Sequence, residues 1–235
     1  MTVEETLNKV QEIIEYHFVD VKKLQTALTH SSYANERKIN KCEDYERYEF
    51  LGDAVLEMVS SEFLFLSNPQ MKEGEMTRLR ASMVCEVALA FCAKELGIGQ
   101  YIFLGKGEDE SGGRFRPSVT SDVMEAIIGA IFLDGGLSPA KHFIHNHILN
   151  DLDEKKLFYD SKSLLQVEVQ KNVGWQLRYE VLKEEGPEHN KMYTVGAYIN
   201  DVLRAEGSGQ NKKAAEQEAA YKILLEQKNS PNHQL

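Results

Sequence analysis

The sequence predicts two domains, an all-α domain over residues 1–150 and a small α+β domain of order α-β-β-β-α over residues 160–229. Three observations carry that expectation. Up to about Asn150, apolar residues recur at three- and four-residue spacing, with few alternating β-branched runs. Beyond about residue 160, short alternating segments are bracketed by two helical ones. Between the two regimes, the charged stretch 151–159 reads as a linker, and residues 230–235 read as a tail.

The elements follow in order. Leu51, Val55 and Met58 mark the core stripe of one helix, and Val84, Val87, Leu89 and Phe91 continue the helical pattern. Asn68-Pro69, Gly97-Ile98-Gly99 and the stretch from Gly105 to Gly113 read as loops. In the second domain, Ser163–Asn172 reads as a helix and Trp175–Val181 alternates like a strand. Gly186-Pro187 opens a polar loop, and Met192–Ile199 and Val202–Ala205 read as two further strands. Lys212–Gln227, rich in Ala, Glu, Lys and Leu, closes the domain as a helix.

Composition narrows the function classes. At 42% hydrophobic residues the chain suits globular folding rather than disorder. Cys42, Cys85 and Cys92 are an odd set without a CxxC pair, which argues against a disulfide framework or a structural zinc site and for a reducing compartment. The start, MTVEETLNKVQEIIEYHF, is charged and amphipathic and lacks the form of a signal peptide. No apolar run approaches the roughly 18 residues that span a membrane. A soluble, cytoplasmic protein with no membrane partner is expected.

The net charge of −10 sits badly with nucleic-acid binding until it is located. Residues 1–159 carry 17 Lys+Arg against 26 Asp+Glu, a balance of −9, and residues 160–235 carry 10 against 11, a balance of −1. The acidity belongs to the first segment, where metal ions can offset part of it. Any affinity for a nucleic acid then has to rest on local basic clusters.

The chemistry concentrates in the run Glu46 to Leu56. At about 100° per residue, Glu46, Glu49 and Asp53 fall within roughly 60° of one another on a helix. Like charges at this spacing are unfavourable without a counter-charge. A second helix repeats the device with Asp122 and Glu125, and Gly129 lies one turn further along the same face, where it permits close approach of another helix. Packed together, the two helices converge four or five carboxylates. Hard oxygen ligands of this kind suit Mg²⁺, and such a site can activate water and stabilise the leaving oxygen in phosphodiester cleavage. Taken singly, a charged helix face is ordinarily just a solvated one. Phe50 lies near Asp53, away from the core stripe. A single exposed aromatic often carries no meaning, and beside a carboxylate cluster it can instead plug into a partner subunit. Geometry alone leaves both readings open.

The same residues resemble the signature of the bacterial ribonuclease III family. The run ERYEFLGDAVL, Glu46 to Leu56, is similar to that family's defining motif. Further matches come in the expected order: Ala27-Leu-Thr-His-Ser-Ser32, Gly74-Glu-Met-Thr-Arg-Leu-Arg-Ala81, Leu104-Gly-Lys-Gly-Glu108, Ser111-Gly-Gly-Arg114, Asp122-Val-Met-Glu-Ala126 and Ile128-Gly-Ala-Ile-Phe-Leu-Asp-Gly-Gly136. The resemblance implies an all-α ribonuclease III endonuclease domain that works as a homodimer, each subunit cutting one strand of double-stranded RNA. It implies that Glu49, Asp53, Asp122 and Glu125 bind Mg²⁺, with Mn²⁺ a possible substitute, and that Asp53 and Glu125 are catalytic. It assigns Glu46 to the acidic edge of the cleavage valley and Phe50 to the dimer contact. Products with 5′-phosphate and 3′-hydroxyl ends and short 3′ overhangs are implied, from ribosomal and other RNA precursors. Ser118-Val-Thr-Ser-Asp122 departs from the usual Ser-Ile-Leu-Ala-Asp and bears on packing before Asp122.

The second domain resembles the family's double-stranded-RNA-binding domain in Asp160-Ser-Lys-Ser-Leu-Leu-Gln166, Gly186-Pro-Glu-His189 and Gly207 to Ala220. An A-form duplex shows 2′-hydroxyls in a shallow minor groove and phosphates across the deep major groove. Gln166 and Gln170, one helical turn apart, suit one minor groove and His189 another. Lys212 and Lys213 stand at a helix N-terminus, where their charge and the helix dipole both favour phosphate. Alone, that lysine pair would read as solvated. Glu168 and Asn211 depart from the family pattern, the first adding an acid near RNA and the second removing a possible cation.

Other signals are set aside. His142, His145 and His147 lack a Cys or carboxylate at zinc-like spacing. Gly105–Gly113 lacks the P-loop pattern and reads as a flexible loop, with Gly112-Gly113-Arg114 on a dimer or RNA surface by the resemblance. His30 reads as a hydrogen-bonded structural residue. Two rivals remain: a non-catalytic RNA-binding protein, against which all four metal carboxylates stand, and a helical phosphohydrolase of small nucleotides, against which the C-terminal motif stands.

Overall fold

The computed structural model describes residues 1–37, 43–150, 160–186, 191–209 and 211–229. It divides into two compact units, Met1–Asn150 and Asp151–Leu235. The expected linker over 151–159, the tail over 230–235, His189 and Cys42 lie outside the described residues.

The first unit is helical. Its helices are α1 (Val3–Ile13), α2 (Val21–Ala27), α3 (Ser31–Glu36), α4 (Glu46–Ser67), α5 (Glu73–Met83), α6 (Glu86–Glu95), α7 (Lys106–Glu110), α8 (Pro117–Gly135) and α9 (Leu137–His147). Short 3-10 turns span Ile98–Tyr101 and Gly113–Phe115. α1 starts on a capping box, Thr2 Oγ1 accepting from Glu5 N–H while the Glu5 carboxylate accepts from Thr2 N–H. α8 opens with Pro117 in its first turn and stops at Gly136, whose φ of 84° only glycine takes readily. Between these ends α8 is buried on nearly every side, from Val119 to Ile131, which marks it as the axis of the unit. None of the described helices is long and apolar enough to cross a membrane.

α4 crosses α8 at glycine. A Cβ placed on Gly52 would lie 1.8 Å from the Glu125 carbonyl oxygen, and one on Gly129 would lie 2.2 Å from that of Tyr48. Backbone touches backbone, as Gly129 foreshadowed. The contact also rotates α4 from its expected setting. Its buried side is Gly52, Val55, Leu56, Val59, Ser60 and Leu64, whereas Met58 is 49% exposed. The expected stripe of Leu51, Val55 and Met58 is corrected accordingly. α4 is apolar on more than one side, and periodicity cannot tell which side faces α8.

The stretch from Gly105 to Gly113 is also more ordered than expected. Lys106–Glu110 forms α7, and Arg116 pairs with Glu108 across it. Arg114 donates to the carbonyls of Gly99, Gln100 and Ile102 and pairs with Asp109. Its guanidinium therefore braces its own domain. The N-terminal segment is held by Asp134, whose carboxylate accepts from the Tyr16 hydroxyl, the N–H groups of Val19 and Asp20, and Lys23.

The second unit is a three-stranded antiparallel sheet, β1 (Leu177–Glu185), β2 (Met192–Ile199) and β3 (Val202–Gly209), paired in that order. Two helices, α10 (Ser161–Gln170) and α11 (Lys212–Asn229), complete it. Leu165 and Val169 of α10 meet Ala197, Ile199, Ala219, Ala220 and Ile223 in one core. β2 and β3 turn at Asn200-Asp201, both at positive φ (51° and 62°), the geometry of a tight two-residue hairpin. β3 outruns its expected end at Ala205 because Gly207 and Gly209 take the first turns of α11 against their bare backbone.

Candidate functional site

The carboxylates come together where the glycines let α4 and α8 touch. Oxygens from Glu49, Asp122 and Glu125 lie within 4.8 Å of one another, the spacing of ligands around one ion. Glu49 stands at the edge of the buried side of α4, three residues before Gly52, and Glu125 contributes the carbonyl that Gly52 faces. The crossing that shapes the fold thus also sets the site. Asp53 is exposed and outside this trio, and its charge still acts on both glutamates. Glu46 is exposed one turn earlier.

Electrostatics record the crowding. Burial, then the charges of Asp122, Glu46 and Asp53, push the Glu49 carboxyl up to about 7. Burial, then Asp53, Glu49 and Asp122, push Glu125 up to about 8. Burial also raises Asp122, against hydrogen bonds from Ser121 and Tyr45. Half-buried carboxylates of like charge without a cation between them hold protons that they would not hold in water. The donor set is all oxygen and hard, so it fits a divalent cation such as Mg²⁺ or Mn²⁺.

Asp122 has supports that sequence reasoning passed over. The Tyr45 hydroxyl, on a ring only 5% exposed, donates to Asp122 Oδ2 at 3.5 Å, and Ser121 Oγ lies 3.4 Å from Oδ1. Tyr45 leans on His30, with ring centres 5.6 Å apart. His30 in turn caps α3: its Nδ1 accepts from Ser32 N–H at 3.1 Å and sits 2.7 Å from Ser32 Oγ. An accepting Nδ1 keeps the ring's proton on Nε2. The unusual Thr120 and Ser121 are harmless, because their hydroxyls bond back to Arg116, Pro117 and Ser118 carbonyls within the helix. The sequence signal was slight, a tyrosine directly before the acidic run.

Phe50 is 80% exposed, and Met58 and Phe65 are 49% and 69% exposed on the same side of α4. Three large apolar side chains within about 80° on one helix are more than the scatter a soluble surface carries.

In the second unit, Gln166 and Gln170 are exposed on α10, and Lys212 and Lys213 on the first turn of α11. Asn211 is the N-cap of α11, its Oδ1 accepting from Ala214 N–H at 2.9 Å. Glu168 pairs with Lys171 at 2.5 Å. The two departures from pattern therefore have local roles, a helix cap and an ion pair.

The chain is similar to known proteins in both of its units. A family model described as ribonuclease-III-like matches residues 20–152, and one described as double-stranded RNA binding motif matches residues 161–227. The chain is 47% identical over 205 residues to a ribonuclease 3 of Pelotomaculum thermopropionicum, covering 86% of this chain and 85% of that one. It is 44% identical over 222 residues to a ribonuclease 3 of Bacillus velezensis, covering 94% and 89%. Among solved structures, the ribonuclease III nuclease domain of Campylobacter jejuni matches with TM-score 0.56 and 40% identity, over 60% of this chain and 94% of that one.

Proposed function

The chain belongs to the ribonuclease III family and is a double-stranded-RNA endoribonuclease, and from that premise we propose a Mg²⁺-dependent mechanism built on Glu49, Asp53, Asp122 and Glu125. The observation that carries the proposal is the trio of oxygens within 4.8 Å at the α4–α8 crossing. Glu49, Asp122 and Glu125 would hold the cation, with Asp53, one turn further along α4, completing the set; Mn²⁺ would serve as substitute. When bound, the cation supplies positive charge to the scissile phosphate and to the leaving 3′-oxygen. The protein's residues do the rest. Tyr45 fixes the direction of Asp122, with the Ser121 hydroxyl beside it. Glu49 and Glu125 would hold the cation as carboxylates, and Glu46 would extend the acidic edge toward the substrate. Asp53 and Glu125 are the catalytic pair whose loss costs most.

The finer reading extends to products and partners. Water attacks the phosphorus as the bond to the 3′-oxygen breaks; its oxygen stays on the 5′-phosphate and a proton passes to the 3′-oxygen, which leaves 5′-phosphate and 3′-hydroxyl ends. The apolar stripe of Phe50, Met58 and Phe65 supports a homodimer, and two sites offset across one duplex leave short 3′ overhangs. Gln166, Gln170, Lys212 and Lys213 hold the duplex, joined by His189. Substrates are precursors of ribosomal and other RNAs, met in the cytoplasm, where thiols such as Cys85 stay reduced.

The test is incubation of a long labelled duplex with Mg²⁺ or with EDTA, beside Asp53→Ala and Glu125→Ala. Cleavage that needs the cation and vanishes in both variants while duplex binding survives is expected. Binding without cleavage by the wild-type protein under Mg²⁺ and Mn²⁺ would overturn the mechanism.

A further inference from the structure

We propose that Lys191 is a further phosphate-binding residue of the RNA-binding domain, acting with Lys212 as a clamp over the Tyr193 ring, and that Glu184 occupies the phosphate position in the RNA-free protein. The proposal rests on the reading of the α11 N-terminus as a phosphate contact. Its basis is one row across the sheet. Glu184 on β1 pairs with Tyr193 on β2, and Tyr193 pairs with Gly209 on β3. A Cβ at Gly209 would stand 2.7 Å from Ala215 N and 2.8 Å from Ala214 Cβ, so the missing side chain lets the first turn of α11 lie on this end of the sheet.

Lys212 thereby reaches back over Tyr193, its Nζ 5.7 Å from the ring centre. Lys191, directly before β2, reaches the same ring from its own strand at 5.9 Å. Both distances fall within the range of cation–π attraction. Two ammonium groups at one aromatic ring call for an anion between them, and Glu184 provides it. Lys191 Nζ lies 3.1 Å from Glu184 Oε2, and Lys212 Nζ lies 3.6 Å from Oε1. A carboxylate that gives one oxygen to each lysine has the form of a phosphodiester giving its two free oxygens to the same pair. The hydrogen bond from Lys191, followed by the charges of both lysines, holds the Glu184 carboxyl below its usual range.

All three groups are open to an incoming backbone. The side chains of Lys191, Lys212 and Glu184 are 33%, 58% and 37% exposed. Exposed ion pairs are weak, so exchange of Glu184 for phosphate meets little resistance. The ring and the carboxylate also keep both lysine stems ordered before RNA arrives, which lessens the entropy lost on binding. The clamp reads no base; it adds to affinity and to register along the duplex.

Fluorescence anisotropy of a labelled RNA duplex of about 16 base pairs, with the full chain in EDTA across a salt series, tests this. Lys191→Met and Lys212→Met are each expected to reduce the slope of log affinity against log salt by about one, with unchanged thermal melting. Lys191→Arg should retain the slope. Glu184→Gln should tighten binding about two- to fivefold at low salt by removing the internal competitor. A normal slope in Lys191→Met beside a reduced slope in Lys212→Met overturns the clamp and leaves the α11 reading standing. Normal slopes in both overturn the two together. Weaker binding by Glu184→Gln overturns its role as competitor.

Discussion

Gly52→Ala tests whether one helix crossing sets both the stability of the nuclease domain and its metal site. The added Cβ would fall 1.8 Å from the Glu125 carbonyl oxygen, 2.6 Å from its carbon and 2.9 Å from Gly129 N. All three obstacles are backbone, so no side chain can swing aside. The helices must part by about 1.6 Å, the difference between 1.8 Å and the 3.4 Å at which ordinary contact begins. Overpacking of this kind costs about 1–3 kcal/mol, here toward the upper end, which lowers the melting temperature of a chain this size by roughly 5–10 °C. The same movement carries Glu49 away from Asp122 and Glu125. Mg²⁺ demands near-ideal oxygen distances of about 2.0–2.1 Å, so a displacement of that size removes it from the set. Thermal melting with and without Mg²⁺, together with duplex cleavage, measures both consequences. Gly74→Ala is the internal control: it lies in α5 with nothing within 4 Å of its would-be Cβ, and gains helix propensity of up to about 1 kcal/mol. A Gly52→Ala protein that melts with the wild type and cleaves at its rate would refute the reasoning.

Three further predictions follow from other residues. Glu49 and Glu125 have folded values near 7 and 8 against 4.5 for a free glutamate, so their contribution to stability is present below 4.5 and is lost as pH rises through 7 to 8. In EDTA, melting temperature should therefore fall across that window relative to a Glu49→Gln, Glu125→Gln double variant, and Mg²⁺ should restore more of it at the alkaline end; a Mg²⁺ effect independent of pH would contradict this. Asp134→Ala removes the acceptor of two backbone N–H groups and of the Tyr16 hydroxyl, leaves Lys23 paired with Asp20 alone, and should destabilise the nuclease domain by roughly 1–3 kcal/mol in calorimetry. Its Mg²⁺ requirement at temperatures below melting should stay as in the wild type. Phe50→Asp with Met58→Asp should shift the protein to monomer in sedimentation velocity while the circular dichroism of the helices persists; retention of the wild-type sedimentation coefficient would remove the apolar stripe as the dimer contact.

What could be read from the sequence divides along a physical line. Convergence of carboxylates on two helices was legible because Asp122 and Glu125 repeat on one helix the shared face that Glu46, Glu49 and Asp53 form on another. Gly129 was legible as a close approach because it lies one turn further along that face. The orientation of α4 was not. Its apolar residues cover two sides, one for α8 and one for the exposed stripe of Phe50, Met58 and Phe65, and a periodicity with two solutions cannot choose between them. That choice depends on Gly52 meeting Gly129, a contact between positions 77 residues apart. Once it is made, Glu49 moves from an outer face to the border of the core while Asp53 stays exposed, which separates two carboxylates that looked equivalent in sequence. Asp122 then takes a hydroxyl from Tyr45, whose only mark in the sequence is its place directly before the acidic run. In the RNA-binding domain the same logic applies to Lys212. Its charge was plain from sequence, but its partners Lys191, Tyr193 and Glu184 come from strand register, and register is fixed only when β1, β2 and β3 have paired. Sequence thus exposes the chemistry carried by a single element. The neighbours that tune it appear where elements cross, at Gly52 with Gly129 and at Gly209 with α11.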